Sequence, residues 1–256
     1  MAKKEVKNTF GSAAKEYQQK AGVQRRVAGD LASRMVGFDL PVKARILEIG
    51  CGTGFLSQHL LKQWPDATLL CSDIAPQMVM SCKANLGDVA KNRVGFAVID
   101  GEDLPNGEQF DLIVSSLVFQ WFRDPLANLA KLTSRLNPGG RLAFVTLGEE
   151  TFNEWRNFCA DYHIACGLHN YPPQEAWQNN WPMDGVGEIA STRIIEEHPS
   201  PHAFLRGLKE IGTGLSQKGH RPVSVVDLRR AFSGYAKKNN SFAITYHLLF
   251  GSFIKN

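Results

Sequence analysis

Arg45-Ile46-Leu47-Glu48-Ile49 is a short apolar run that stops on Gly50-Cys51-Gly52-Thr53-Gly54. A run of this kind suits a strand buried on both faces of a parallel sheet. The glycines let the backbone turn sharply and approach a ligand with no Cβ in the way. Their spacing is G-x-G-x-G, not the G-x-G-x-x-G that seats a pyrophosphate on a helix N-terminus. Glu48, just ahead of the turn, repels phosphate and suits a ligand carrying an ammonium and a sulfonium. A glycine-rich turn alone is a weak signal, because many tight turns are only structural.

Outward from this loop the pattern alternates. Helical spacing runs over 8–37, through Phe10, Ala13, Tyr17, Val27, Leu31 and Met35, and resumes over Phe55–Gln63. A second strand covers 67–73, ending on Asp73, and a second helix starts on Pro76, a residue at home in a first turn. Strands follow at 94–99, 110–115 and 141–147, with a helix over 125–136 and a turn at Asn137-Pro138-Gly139-Gly140. Strands alternating with helices imply a doubly wound parallel α/β sheet with right-handed crossovers. Beyond residue 150 the alternation fails. Residues 151–182 are aromatic-rich and read as helical, 193–197 as a strand, 201–211 and 224–238 as helices, and 242–254 as a closing strand. The expected organisation is one domain over 1–256: a helical cap (1–40), a ligand-binding core (41–148), a lid insertion over the sheet's C-terminal edge (149–190), and strands and helices completing the sheet (191–256).

Three carboxylate positions fall at successive strand ends. Asp73 can accept both hydroxyls of a ribose lacking a 2′-phosphate, although a strand-end Asp is often only a helix cap. Asp100-Gly101-Glu102 ends the third strand, where a carboxylate can accept from an adenine amino group. Asp111 to Ser116 ends the fourth, beside the first. Together with the glycine loop they form a combination hard to obtain by chance.

Composition sets the remaining bounds. With 43% hydrophobic and 21% charged residues the chain has the makeup of a folded globular protein. It has no apolar run of membrane-span length, and the charged opening Met1–Lys7 is unlike a secretory signal, so a cytoplasmic location is expected. The five cysteines (Cys51, Cys71, Cys82, Cys159, Cys166) show no CxxC spacing and the seven histidines no ligand spacing, so neither disulfides nor a metal are expected. The net charge of +4 does not point to nucleic acid. It is unevenly spread: residues 218–238 hold six Lys/Arg against Asp227 alone, while 147–200 hold nine acids against Arg156 and Arg193. Such asymmetry marks either solvated faces or a basic surface that docks an acidic partner.

The order Glu48-x-Gly50-x-Gly52-x-Gly54, Asp73, Asp100, Asp111-Leu112-Ile113 and Leu136-Asn137-Pro138-Gly139-Gly140 resembles the class I S-adenosylmethionine-dependent methyltransferases. The resemblance implies a Rossmann-like, seven-stranded, mostly parallel sheet whose last strand, here 242–254, runs antiparallel. It implies that Gly50, Cys51, Gly52 and Gly54, with Glu48, hold the methionine portion of the cofactor, and that Asp73 holds its ribose. Ile74 and Met78 then flank the adenine, Asp100 with Gly101 or Glu102 binds its edge, and Ser115 lies near the methionine end. Cys51 is read as a small filler rather than a nucleophile. A nicotinamide dehydrogenase is disfavoured by the glycine spacing and by the absence of a proton donor near Gln120.

The chain further resembles the malonyl-[acyl carrier protein] O-methyltransferases of biotin synthesis. Phe10-Gly11-Ser12-Ala13-Ala14-x-x-Tyr17 with Gln24, Val118-Phe119-Gln120-Trp121, Phe144–Gly148, Leu208–Gly214 and Thr245-Tyr246-His247 carry that likeness; Thr213 is a mild departure where an Ala is expected. It implies methylation of the free carboxylate of a malonyl thioester, with Tyr17 and Gln24 joining the cofactor set. A carboxylate is ionised at neutral pH, so no catalytic base is required; donors that orient the carboxylate are. Candidates are Tyr17, Gln120, Trp121, Arg156, Arg206 and Lys209, against which stand packing roles for the aromatics and solvated roles for the cations. Phe152, Trp155, Phe158, Tyr162, Tyr171, Trp177 and Trp181 read equally as a water-excluding lid or a small helical core. Lys218, Arg221, Arg229, Arg230, Lys237 and Lys238 form the candidate dock for an acidic carrier. Alternatives are a methyltransferase for another small acid or a quinone precursor, and a module that binds the cofactor without transfer.

Overall fold

The protein is described by a computed structural model covering residues 3–90, 92–105, 107–214, 220–237 and 239–256. Seven strands form one sheet: β1 (Arg45–Ile49), β2 (Thr68–Asp73), β3 (Val94–Val98), β4 (Phe110–Ser116), β5 (Leu136–Leu147), β6 (Gly185–His198) and β7 (Phe242–Lys255), in the order β3-β2-β1-β4-β5-β7-β6. β1 to β5 run parallel, while β7 is antiparallel to both β5 and β6. The strand order reverses between β1 and β4, so a crevice opens beyond their C-terminal ends. Helices α1 (Lys3–Lys20), α2 (Gly22–Arg34), α3 (Phe55–Gln63), α4 (Pro76–Leu86), α5 (Pro125–Thr133), α6 (Asn153–Asp161), α7 (Gln174–Gln178), α8 (Pro201–Glu210) and α9 (Val225–Ala236) flank it. Among the described residues no helix is long and apolar enough to cross a membrane.

Side-chain alternation along β5 divides the core. Ala143 and Val145 face a cluster with Leu31, Leu56, Val114, Phe204 and Leu248; Leu142 and Phe144 face Ile49, Phe119, Leu129, Trp177 and Phe253. Phe144 stacks on Phe119 with ring centroids 4.5 Å apart and lies 5.1 Å from Trp177. Each such ring contributes roughly 1.5–3 kcal/mol of transfer free energy. Start signals are local and chemical: the Asp124 carboxylate accepts from Ala127 N at 2.9 Å ahead of Pro125, and the Ser200 hydroxyl from Ala203 N at 3.1 Å ahead of Pro201.

The structure corrects four expectations. The helix over 8–37 is two helices, broken where Ala21 leaves helical backbone (φ −81°, ψ 58°). Arg25 Nη2 then donates to Gln18 O at 2.6 Å, satisfying a carbonyl the break strands. The helix over 125–136 ends at Thr133, and the turn at 137–140 is instead an irregularity inside β5. Leu136 pairs with Phe110 and Arg141 with Leu112, the surplus residues bulging outward with Gly139 at φ +75°. The strand over 193–197 extends to Gly185–His198, because fourteen residues pair with β7 despite a Gly- and Ser-containing first half of low β propensity.

The insertion at 149–190 therefore ends inside the sheet's edge strand, and its helical content is confined to α6 and α7. Its aromatics do not assemble into one unit. Phe152, Trp155 and Phe158 are buried on one face, with Tyr162 and Tyr171 packed against them; Trp177 is buried on the other, with Trp181 beside it.

Candidate active site

Gly50, Gly52 and Gly54 all take left-handed backbone (φ +71°, +53° and +96°), so the chain coils tightly as it leaves β1. A Cβ at Gly50 would collide with the Val118 side chain, which is why this position admits only glycine. Cys51 N donates to Ser72 O at 2.8 Å, tying the loop to β2. Asp73 completes the attachment: its carboxylate accepts from Gly52 N at 3.1 Å and Ala75 N at 2.8 Å. Burial outweighs those two donors and pushes the Asp73 carboxyl up to about 6.

These groups border an open cleft at the C-terminal ends of β1 to β4. Gly50, Gly52, Asp73, Ile74, Met78, Asp100, Gly101 and Glu102 all line it. Asn128 Nδ2, fully buried, donates to Gly101 O at 3.1 Å and so fixes the backbone there. Lys3 closes this end of the cleft with ion pairs to Asp100 and Glu102. Glu102 also accepts from Arg123 N at 2.9 Å.

Glu48 lies beneath the loop, almost fully buried, and lines a smaller pocket of about 300 Å³ with Gln24, Cys51 and Ser116. The Ser57 hydroxyl and the Cys71 thiol donate to its carboxyl. Burial pushes that carboxyl well above the usual carboxylate range, favouring its neutral form.

A further cavity of about 460 Å³ sits on the β5–β7 side of the cleft. Leu147, Phe152, Tyr171, Leu208, Thr213 and Tyr246 line its far wall. Phe10, Tyr17, Leu117 and Trp121 border both this cavity and the cleft, so the two compartments meet at one largely aromatic junction. Phe10 packs edge-on against Trp121 at 5.4 Å and Tyr17 at 6.4 Å, and Tyr17 stacks on Phe55 at 6.0 Å. Tyr17 also borders the small pocket beneath the loop.

Not every candidate residue reaches these spaces. Ser115 is fully buried and donates to Ile49 O at 3.0 Å; strand alternation turns it away, and Ser116 lines the cleft instead. Gly54 borders none of these three spaces; it begins α3 and packs on Cys82. Gln120 borders the second cavity, but its amide nitrogen donates to Leu117 O at 2.7 Å and its amide oxygen accepts from Thr146 at 3.2 Å. Arg156 is turned to His169 O at 2.7 Å. Arg206 and Lys209 are exposed on the outer face of α8, whose inner residue Leu208 lines the cavity. Lys3, Leu117 and Val118 were not anticipated, since nothing in their spacing marks them; α1 and the β4 terminus bring them in.

Known proteins share this arrangement. A family model described as a methyltransferase domain matches residues 47–142. The sheet order, glycine loop and strand-end carboxylates together define a class I methyltransferase. Among solved structures, the YcgJ protein from Bacillus subtilis aligns with a TM-score of 0.62 at 14% identity, covering 89% of this chain and 98% of that one. The plantazolicin methyltransferase BpumL, solved with a substrate analogue and S-adenosylhomocysteine, aligns with a TM-score of 0.54 at 16% identity over 99% of this chain and 97% of that one. Sequence likeness is stronger: the malonyl-[acyl-carrier protein] O-methyltransferase of Magnetococcus marinus is 43% identical over 98% of this chain and 92% of its own length. The bifunctional biotin biosynthesis protein BioCD of Bordetella avium is 38% identical over 98% of this chain, which spans 52% of that longer protein. The chain belongs to the malonyl-[acyl-carrier protein] O-methyltransferase family.

Proposed function

We propose that the chain transfers a methyl group from S-adenosylmethionine to the free carboxylate of a malonyl group held as a thioester on acyl carrier protein. The observation that carries this reading is the meeting of two compartments at Phe10, Tyr17, Leu117 and Trp121. One compartment has the groups a nucleoside needs. The other is largely apolar with a few hydroxyls, as a short acyl thioester needs.

The residues present fit the cofactor. Gly50 leaves room no side chain would leave, Asp73 presents a carboxylate for ribose hydroxyls, and Ile74 and Met78 offer apolar surface to a base. Asp100 and Glu102 lie at the base's edge, and Glu48 lies beneath the loop. When bound, S-adenosylmethionine supplies a methyl group already activated on a sulfonium. The protein's own work is then alignment and exclusion of water, because the acceptor carboxylate is ionised without help. The aromatic junction does both: it is narrow, and it brings no competing base to the transfer point.

The acidic carrier is met by α9. Arg221, Arg229, Arg230 and Lys237 are exposed, while Lys218 and Lys238 lie outside the described residues. Val225 and Val226, 63% and 75% exposed, precede Arg229 and Arg230 by one helical turn, so apolar and basic groups share one outward stripe. Such a stripe suits a partner helix that is acidic and amphipathic.

The test is a methyl-transfer assay offering malonyl-carrier protein, malonyl-coenzyme A and small free acids, with Asp73→Ala as the inactive control. Turnover highest on the carrier-bound malonyl group is expected. Turnover on a free acid with none on either thioester overturns the reading.

A further inference from the structure

The second cavity needs a group to hold the acceptor's carboxylate, and its lining carries no Lys or Arg among the described residues. Its polar side chains therefore have to be taken one at a time. Gln120 has both ends of its amide engaged. The Thr213 hydroxyl donates to Leu208 O at 3.1 Å, and the Tyr246 hydroxyl donates to Glu196 at 3.2 Å. Gln24 lies toward the small pocket it shares with Glu48. Three donors remain with no hydrogen bond among the described residues: the Tyr17 phenol and the Trp121 indole N–H, both at the junction, and the Tyr171 phenol, in the wall of the cavity itself, away from the junction.

The segment bearing Tyr171 packs against the core, and two further contacts help to position it. Arg156 Nη2 donates to His169 O at 2.7 Å, and the His169 ring lies edge-on to Trp121 at 6.5 Å. Burial pushes the Tyr171 phenol up to about 12, against an opposing pull from the Arg156 charge. The phenol therefore keeps its proton at any working pH and remains a donor, with a cation behind it that favours an anion in front.

We propose that Tyr171 is the residue that grips the acceptor carboxylate, its hydroxyl donating to one oxygen while Tyr17 faces the reacting one, and that Arg156 acts as a positioning residue behind it. This deepens the functional reading above and rests on it. The chemistry explains why a phenol serves better than a guanidinium. A bidentate guanidinium would bind both oxygens strongly and withdraw the electron density that must attack the methyl group. A neutral donor on one oxygen orients the group and leaves the other oxygen free to react. No bond forms to Tyr171, and no proton is transferred: with the cofactor bound, an O–CH3 bond would form at the carboxylate oxygen as the sulfonium S–CH3 bond breaks, its electron pair staying on sulfur, so that both opposite charges are lost together.

The ester carries an added methyl group and lacks the charge that strengthens a hydrogen bond from Tyr171, so the cavity should hold the acceptor better than the product.

The experiment uses Tyr171→Phe in the full chain, with Tyr235→Phe, whose hydroxyl donates to Ser241 O at 3.1 Å away from the cavity, as the matched loss of an already committed hydroxyl. Calorimetry with S-adenosylhomocysteine verifies that each variant is folded and keeps an intact nucleoside cleft, with affinity within about twofold of the native chain. Malonyl-coenzyme A and its methyl ester are then titrated into the S-adenosylhomocysteine-loaded proteins. Tyr171→Phe is expected to weaken the acid about ten- to a hundredfold, the range for a hydrogen bond to a charged group, and to change ester binding less than about threefold. The KM in turnover should rise by a similar factor to the loss of acid affinity. Tyr235→Phe should leave acid affinity within about threefold. Arg156→Gln should raise KM more modestly, and Arg156→Lys should recover part of the loss. Equal weakening of acid and ester by Tyr171→Phe, or no weakening of either, overturns the proposal while leaving the function intact. A native chain that neither binds nor methylates the malonyl thioester overturns both.

Discussion

The nucleoside end of the crevice is made of backbone, whereas the acceptor end is made of side chains. At β1 and β2 the decisive features are three left-handed glycines and two N–H groups turned onto Asp73, all within residues 50–75. At β5 to β7 the cavity wall gathers Leu147, Phe152, Tyr171, Leu208 and Tyr246 from separate segments, and no short run of sequence contains them. The first kind of site is a property of a turn. The second exists only once the sheet is complete.

This difference should show in how each end fails. Trp155→Ala removes a buried indole from the core cluster that also holds Leu147, Phe152, Leu208 and Tyr246 of the acceptor side, and should cost about 3–5 kcal/mol of stability. Thermal unfolding should show that loss, while the fraction still folded binds S-adenosylhomocysteine normally; a cleft that fails along with the core would mean the two ends are one cooperative unit. Asp73→Ala should do the reverse: an unfolding transition little changed, and affinity for S-adenosylhomocysteine down at least about a hundredfold by calorimetry, since hydrogen bonds to a charged acceptor are lost.

Acidity sharpens the same contrast. Burial holds the Asp73 carboxyl at about 6, and ribose hydroxyls donate to its ionised form, so nucleoside affinity is full above that value and falls as pH drops through it. The expected slope is about tenfold per pH unit below 6. Asp73→Asn should be weak and flat across the same range, and a native chain with flat affinity from pH 5 to 7 would remove Asp73 from the ribose. The smallest effect belongs to the surface. Arg229→Glu with Arg230→Glu should slow association with the carrier protein several-fold at low salt, an effect that fades as salt is raised. Stopped-flow kinetics measure it, and unchanged rates would take α9 out of the encounter.

The same contrast explains what could be read in advance. Gly50, Gly52, Asp73 and Asp100 could be picked out as candidates because each sits at or within three residues beyond the C-terminal end of a strand, where a backbone requirement leaves a residue type as its trace. Ser115 was misplaced in favour of Ser116 because a one-residue step reverses the direction of a strand side chain, and an apolar run of this kind does not say which face is which. β6 was legible only from Arg193 to Glu197; its first half becomes strand because β7 offers a partner, a fact absent from its own composition. Lys209 sits in a block that resembles the family and Arg206 just ahead of it, yet on the amphipathic α8 the cavity takes Leu208 and the solvent takes both cations.

Lys3 and Tyr17 belong to one helix of 18 residues. The first clasps the carboxylates at one border of the nucleoside cleft, and the second stands in the partition between donor and acceptor. One helix therefore walls both compartments, and a substitution that displaces it should be felt by donor and acceptor alike.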